Sequence, residues 1–214
     1  MRLVSFRRLD LDRIALCRQA GQDAAMRYVF ALILLSLAGC AQSTPVDKAV
    51  APAPLAMRWD HRAEASAWTQ ATMDALAGHG AVLPALVPSD IDAWCPGYVE
   101  ANDRDRRAFW AGLFSALAKH ESTWNPKAVG GGGLWYGLVQ IDPRTAGWHQ
   151  CDVKSGSALL NGSDNLRCGV RIAANQVPKR GSISRGMRDW GPFHSESKRA
   201  EMSQWTRAQS YCAK

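Results

Sequence analysis

Trp110, Leu113, Phe114 and Leu117 recur at offsets of three and four. At 3.6 residues per turn these side chains form one apolar stripe, whereas on a strand they would divide between the two faces. The pattern predicts a core helix from about Asp103 to Ser122. The stripe then ends on a carboxylate, because Glu121 lies four residues after Leu117. Burial disfavours the charged form of such a group, and the negative end of the helix dipole acts in the same direction, so its pKa should rise. Two readings of Glu121 stay open at this point. It is either the structural partner of an arginine such as Arg167 or Arg171, or a carboxyl group held protonated so that it can pass a proton on.

The rest of the chain reads as further helix. Trp59, Ala63, Ala67, Met73 and Leu76 predict a first helix over about 59–77. Ser89 or Asp90 can start a short helix that ends near Pro96 and Gly97. Leu166, Val170, Ile172 and Ala173 predict a helix from about Asp164 to Val177, closed by Pro178. A last helix is expected from Glu196 to about Gln209. Pro126 and the run Gly130–Gly133 force a loop, and one short strand-like apolar run follows, Leu134–Ile141. The expected fold is mainly α, with a short β or loop segment and no internal repeat.

Residues 26–42 read MRYVFALILLSLAGCAQ. The apolar run from Tyr28 to Ala38 is about half the roughly 20 residues that a transmembrane helix needs, but it suits the hydrophobic stretch of an export signal. The small residues before Cys40 resemble the lipobox of bacterial lipoproteins, which implies that Cys40 is lipidated and becomes the new N-terminus. Residues 1–39 are therefore expected to be a signal peptide, with Met26 as an alternative start. Residues 40–57, rich in Pro and Ala, are expected to be a flexible tether, and residues 58–214 the folded domain with an N-terminal helical extension.

Of the 26 Lys and Arg against 19 Asp and Glu, six basic and three acidic residues fall within residues 1–39. What remains is mildly basic, which suits an anionic polymer or a solvated surface equally well. No basic–aromatic stripe points to nucleic acid. Beyond Cys17 and Cys40, four cysteines remain: Cys95, Cys151, Cys168 and Cys212. In an exported domain an even number implies two disulfides, with three connectivities open. The favoured pairing is Cys151 with Cys168, closing a local loop, and Cys95 with Cys212, pinning the C-terminus. Several other chemistries fail on spacing. HESTW lacks the second histidine of H-E-x-x-H, the glycine run has no G-K-[ST], and no serine sits in G-x-S-x-G. No metal or cofactor is expected.

The segments AKHESTWNP and GLVQID, in that order, resemble the soluble lytic transglycosylase family, whose fold is lysozyme-like. SDIDAWCPGY and DNLRCGVRIAANQ resemble further parts of one branch, in which Asn165 and Gly169 begin a supporting helix. The likeness spans roughly residues 90–195. It implies a cleft in which Glu121 is the catalytic acid and base and Ser122 helps to position substrate. Gly137, Leu138, Val139, Gln140 and Ile141 would line that cleft. Read physically, Gly137 would let a sugar approach the backbone, and Gln140 would offer a donor and an acceptor to its substituents. Trp124, Trp135 and Trp190 lie near these motifs and could offer flat faces to sugar rings. The chain departs from the family twice. Val139 stands where many members have methionine, and the third motif, A-Y-N, is missing. RDWGPF lies in about its place, which makes Trp190 the candidate aromatic wall.

The resemblance implies an enzyme that cleaves the MurNAc–GlcNAc bond of peptidoglycan with formation of a 1,6-anhydro sugar. It would act as a monomer on the periplasmic face of the outer membrane, held there by lipid on Cys40. Two rivals are a lysozyme-like hydrolase using Asp142 to position water, and a wall-binding lipoprotein with an inactive cleft.

Overall fold

The computed structural model describes residues 54–213. The expected signal peptide, Cys40 and most of the expected tether lie outside the described residues. The described chain is predominantly helical: α1 (Ala65–Ala77), α2 (Val82–Ala85), α3 (Ile91–Trp94), α4 (Asp103–Ser122), α5 (Pro143–Trp148), α6 (Gly156–Leu159), α7 (Gly162–Arg180), α8 (Ile183–Gly186) and α9 (Glu196–Arg207). Two 3₁₀ turns flank α9, at Gly191–His194 and Ser210–Cys212. The strands β1 (Val129–Gly130) and β2 (Trp135–Tyr136) pair antiparallel in a two-stranded sheet.

The helix α4 is the axis of the fold. The Asn102 side chain accepts from the Asp105 N–H at 3.0 Å, while Asp103 and Asp105 in the first turn and Lys119 and His120 in the last complement the helix dipole. The sequence pattern suggested one buried stripe, yet every residue from Ala108 to Ala118 is buried. α1, α2, α9 and both 3₁₀ turns pack around it. Alanine, glycine and serine between the large residues let neighbours close in on all sides. The helix stops at Thr123 (φ 51°), whose N–H returns to the Lys119 carbonyl at 3.2 Å. Pro126 then prevents resumption.

Two boundaries differ from the sequence reading. The first helix begins at Ala65, not near 59, because the chain there is spent in turns. The Met57 N–H is taken by the Asp60 carboxylate at 2.8 Å, and the Arg62 N–H by the Trp59 carbonyl at 2.8 Å. At the other end, α7 does not close at Pro178 but runs on to Arg180. Proline in a last turn removes a single helical bond, and Gly181 (φ 71°) supplies the left-handed stop. The short helix after Asp90 is present, but Asp90 does not cap it. Its carboxylate accepts instead from the N–H groups of Ile183 (2.7 Å) and Ser184 (2.9 Å), joining the start of α3 to the start of α8.

The disulfides pair as favoured. Cys95–Cys212 ties the segment before α4 to the C-terminal turn, and Cys151–Cys168 ties the loop after α5 to α7.

Candidate active site

Glu121 emerges in the last turn of α4, where the helix leaves the core. Its side chain is half-buried, and its Oε1 is buried with no hydrogen-bond partner. Burial pushes the carboxyl pKa up to about 7, against a weaker lowering by the charge of Lys198 on α9. Neither suggested arginine neutralises it. Arg167 pairs with Asp164 at 2.9 Å, and Arg171 lies 3.7 Å from Asp152. An ionised carboxylate left without a partner in such a place is costly, so this group is poised to hold a proton near neutrality.

The two residues before Glu121 are secured elsewhere. Lys119 Nζ (2.6 Å) and His120 Nε2 (2.8 Å) both meet Glu201 on α9, which also accepts both terminal nitrogens of Arg58. The hydrogen bonds from Arg58 above all, with those from Lys119 and His120, hold the Glu201 carboxyl well below the usual carboxylate range. Glu201 thereby anchors the last turn of α4 and absorbs positive charge beside Glu121.

The segment 137–141 lies against this helix end, and buried hydrogen bonds fix it. Ser122 Oγ donates to the Leu138 carbonyl at 2.8 Å. The fully buried Asn165 accepts from the Val139 N–H at 2.9 Å and donates to the Tyr136 (2.8 Å) and Leu159 (3.1 Å) carbonyls. Trp190 Nε1 donates to the Val139 carbonyl at 2.8 Å, its ring standing edge-on to Phe114.

These contacts change what several of the expected residues can offer. Gly137 (φ 80°) is needed for the protein's own packing rather than for an approaching sugar: a Cβ there would stand 2.3 Å from the Leu159 carbonyl oxygen and 2.5 Å from Asn165 Nδ2. Leu138 and Val139 are wholly buried, the underside of the segment, while Ile141, nearly buried, also lines a cavity. The Gln140 amide spends its N–H groups on the Gly137 (2.9 Å) and Ala128 (3.2 Å) carbonyls, leaving its oxygen as the available group. The Ser122 hydroxyl proton is committed to backbone. Trp190 is 4% exposed, packed beneath the segment while also lining the cavity beside it. Trp124 is partly buried, with its Nε1 on the Ser115 carbonyl at 2.9 Å.

Asp142 sits at the N-terminus of α5. Its carboxylate accepts from the Arg144 N–H at 2.8 Å and pairs with the guanidinium at 2.7 Å, and those bonds lower its pKa. A cavity of about 320 Å³ opens beyond Gln140, Ile141, Asp142 and Trp190, bordered by Trp135 and Trp148; Glu121 is not among its walls. The sequence reading did not single out Trp148, Lys198 or Glu201. Trp148 carried a usable signal: on α5 it lies two residues past the buried Ala146, off the packed side of that helix. The value of Lys198 and Glu201 depends on how α9 crosses α4, which no local pattern encodes. Among the described residues no group of three or more His, Cys, Asp or Glu side chains is arranged to hold a metal ion.

Residues 99–184 match the family model described as Transglycosylase SLT domain. No curated protein sequence matches the chain. Among solved structures, DslA (Bd0314) in a wild-type form superposes with a TM-score of 0.67 at 24% identity, covering 75% of this chain and 100% of that one. A glutamate-to-glutamine mutant of DslA gives the same score and identity over 73% of this chain and 97% of that chain. At that identity the likeness speaks for the fold. Residues 99–184 are thus similar to a transglycosylase SLT domain, within a mainly helical fold that the chain shares with DslA.

Proposed function

We propose that the protein is a peptidoglycan lytic transglycosylase in which Glu121 alone serves as acid and base. The observation that carries this reading is the unpartnered, desolvated Glu121 carboxyl at the end of the central helix, within the matched domain. Protonated Glu121 gives its proton to the oxygen between N-acetylmuramic acid and N-acetylglucosamine as the C1–O bond breaks. The acetamido oxygen of the muramic acid supports the cation at C1. The Glu121 carboxylate then takes the proton of the C6 hydroxyl, whose oxygen bonds to C1. The enzyme regains its starting proton, and no water is consumed.

A hydrolase of the two-carboxylate design needs a second acid across the bond. Asp142 serves instead as the cap of α5 and partner of Arg144, which supports the single-acid reading. The test is mass spectrometry of glycan strands digested by the protein and by Glu121→Gln. Anhydro ends from the wild type and none from the variant are expected. Products heavier by one water per cut would replace the reading with a lysozyme-like hydrolase, and no turnover at all would leave a wall-binding protein.

The same reading has Cys40 lipidated and the domain working as a monomer at the periplasmic face of the outer membrane. Ala41, the next residue, is not the aspartate that resembles an inner-membrane retention signal. A Cys40→Ser variant should remain unprocessed in the inner membrane. Normal processing and outer-membrane fractionation of that variant would refute the anchor.

A further inference from the structure

The two residues that follow Ser122 hold a costly backbone. Thr123 (φ 51°) and Trp124 (φ 56°) are consecutive non-glycine residues in the left-handed region, the one such pair among the described residues. A Cβ disfavours that conformation, so it persists only where neighbouring contacts enforce it. Two of those contacts come from α4 itself. The Trp124 N–H donates to the Ala118 carbonyl at 3.2 Å, and its Nε1 to the Ser115 carbonyl at 2.9 Å. A third comes from outside the helix. The His61 ring stands edge-on to the Trp124 ring, with centroids 4.6 Å apart and planes at 76°.

His61 ends a stretch that is fastened to the fold at several points. Tyr211 Oη donates to the Ala56 carbonyl at 3.1 Å, and the Arg58 N–H donates to Ser115 Oγ at 2.9 Å. The Arg58 guanidinium meets Glu201, and the buried Trp59 donates from Nε1 to Thr69 Oγ1 at 2.9 Å. This stretch lies outside residues 99–184, so the matched domain does not account for it. His61 itself is exposed, and burial in the core does not explain its place on Trp124.

We infer that residues 56–61 form a strap that positions Glu121, with His61 as a positioning residue acting through Trp124. The inference rests on the glycan-cleaving reading above and deepens it. Glu121 Oε1 has no hydrogen-bond partner to aim it, so the direction of the carboxyl group depends on the turn that carries it. A strap that braces Trp124 holds that turn closed. Catalytic geometry of this kind is sensitive to small displacements of the reacting group.

The test compares full-length His61→Ala and His61→Phe with the wild type, by initial rates on sacculi and by hydrogen exchange of the amides of residues 123–125. In His61→Ala those amides should exchange faster, and kcat should fall about two- to tenfold, the range that one aromatic pair supports. KM and Tm should hardly move. Phenylalanine should restore both exchange and kcat, because the edge-on contact needs a ring and not an imidazole. Unchanged kcat in His61→Ala overturns the inference, as does a rise in KM alone. Equal loss in both variants also overturns it, since the imidazole itself would then be required. The two readings fail separately. A wild type that releases no anhydro sugars, with exchange quickened by alanine and restored by phenylalanine, removes the catalytic reading and keeps the strap. Release abolished by Glu121→Gln and untouched by His61→Ala removes the strap alone.

Discussion

Ser122 Oγ lies 2.8 Å from the Leu138 carbonyl oxygen, so the residue next to Glu121 is fastened to a segment sixteen positions further along the chain. The next residue of that segment is held from two other directions, its N–H by Asn165 on α7 and its carbonyl by Trp190. Three elements thus converge on two consecutive peptide units beside the carboxyl group.

Ser122→Ala removes one of these ties and should cost about 1 kcal/mol, the net value of an ordinary hydrogen bond. For a domain of this size that is a fall of about 2–4 °C in Tm. Turnover should drop by more than the small rise in unfolded protein explains, because the segment loses its link to the helix that carries Glu121. Calorimetry together with initial rates on sacculi checks this, and an unchanged rate constant would mean that Asn165 and Trp190 suffice.

The axis of this arrangement was legible in the sequence because it is local. A 3.6 period marks α4, and Glu121 continuing that period marks the point where a carboxyl group meets the core. The even cysteine count left three connectivities open, and the structure forms the favoured one. The buried scaffolding was not legible. Gly137 looked like a point of approach for a ligand, yet it serves close packing against Asn165 and Leu159. Gln140, which lines the cavity, spends its N–H groups on the Gly137 and Ala128 carbonyls and keeps only its oxygen. Trp190 looked like an open wall, but it is nearly buried, bonds the Val139 carbonyl and reaches the cavity only at its edge. In each case the distinction turns on which side of a short loop faces the core, and a loop has no period from which to read that. The role of Glu201 was equally hidden, because its partners Arg58, Lys119 and His120 come from residues 81 or more positions away.

The two disulfides should differ in worth. Cys95–Cys212 spans 117 residues and Cys151–Cys168 spans 17. In the chain-entropy description a loop of about 15 residues is worth about 3 kcal/mol and one of about 100 residues about 4.7. Replacing Cys95 and Cys212 by alanine should therefore destabilise by about 1–2 kcal/mol more than replacing Cys151 and Cys168. Urea unfolding of the two double variants measures the difference, and the reverse order would show that local strain or residual structure outweighs loop length.

Glu201→Gln should act on both stability and pH response. The amide keeps the shape but leaves Arg58, Lys119 and His120 without their counter-charge, with Arg58 and His120 side chains only 15% exposed. A loss of about 1–3 kcal/mol is expected, below the figure for a fully buried pair because Lys119 and Glu201 reach solvent. The freed charges beside Glu121 favour its ionised form, so the alkaline limb of the pH–rate profile should move to lower pH. A lower Tm with an unmoved limb would make Glu201 a purely structural residue.

The pH dependence of Glu121 itself follows from the direction of its shift. Its folded-state pKa of about 7 stands above the ordinary value of 4.5, so between those two pH values the folded protein holds a proton that the unfolded chain has released. Stability contributed by the neutral carboxyl is complete below pH 4.5 and is lost as pH rises through 7. At 1.36 kcal/mol per pKa unit, and with the side chain partly exposed, the loss should be about 2–3 kcal/mol. Glu121→Gln removes the titrating group, so denaturant unfolding should find the variant level with the wild type at acid pH and more stable by that amount in mild alkali. The wild-type rate should fall above pH 7 as the acid is lost, about tenfold per unit at the limit. A variant less stable than the wild type in alkali would show that the carboxylate has a cationic partner there, and Glu121 would then be a structural residue and not the acid.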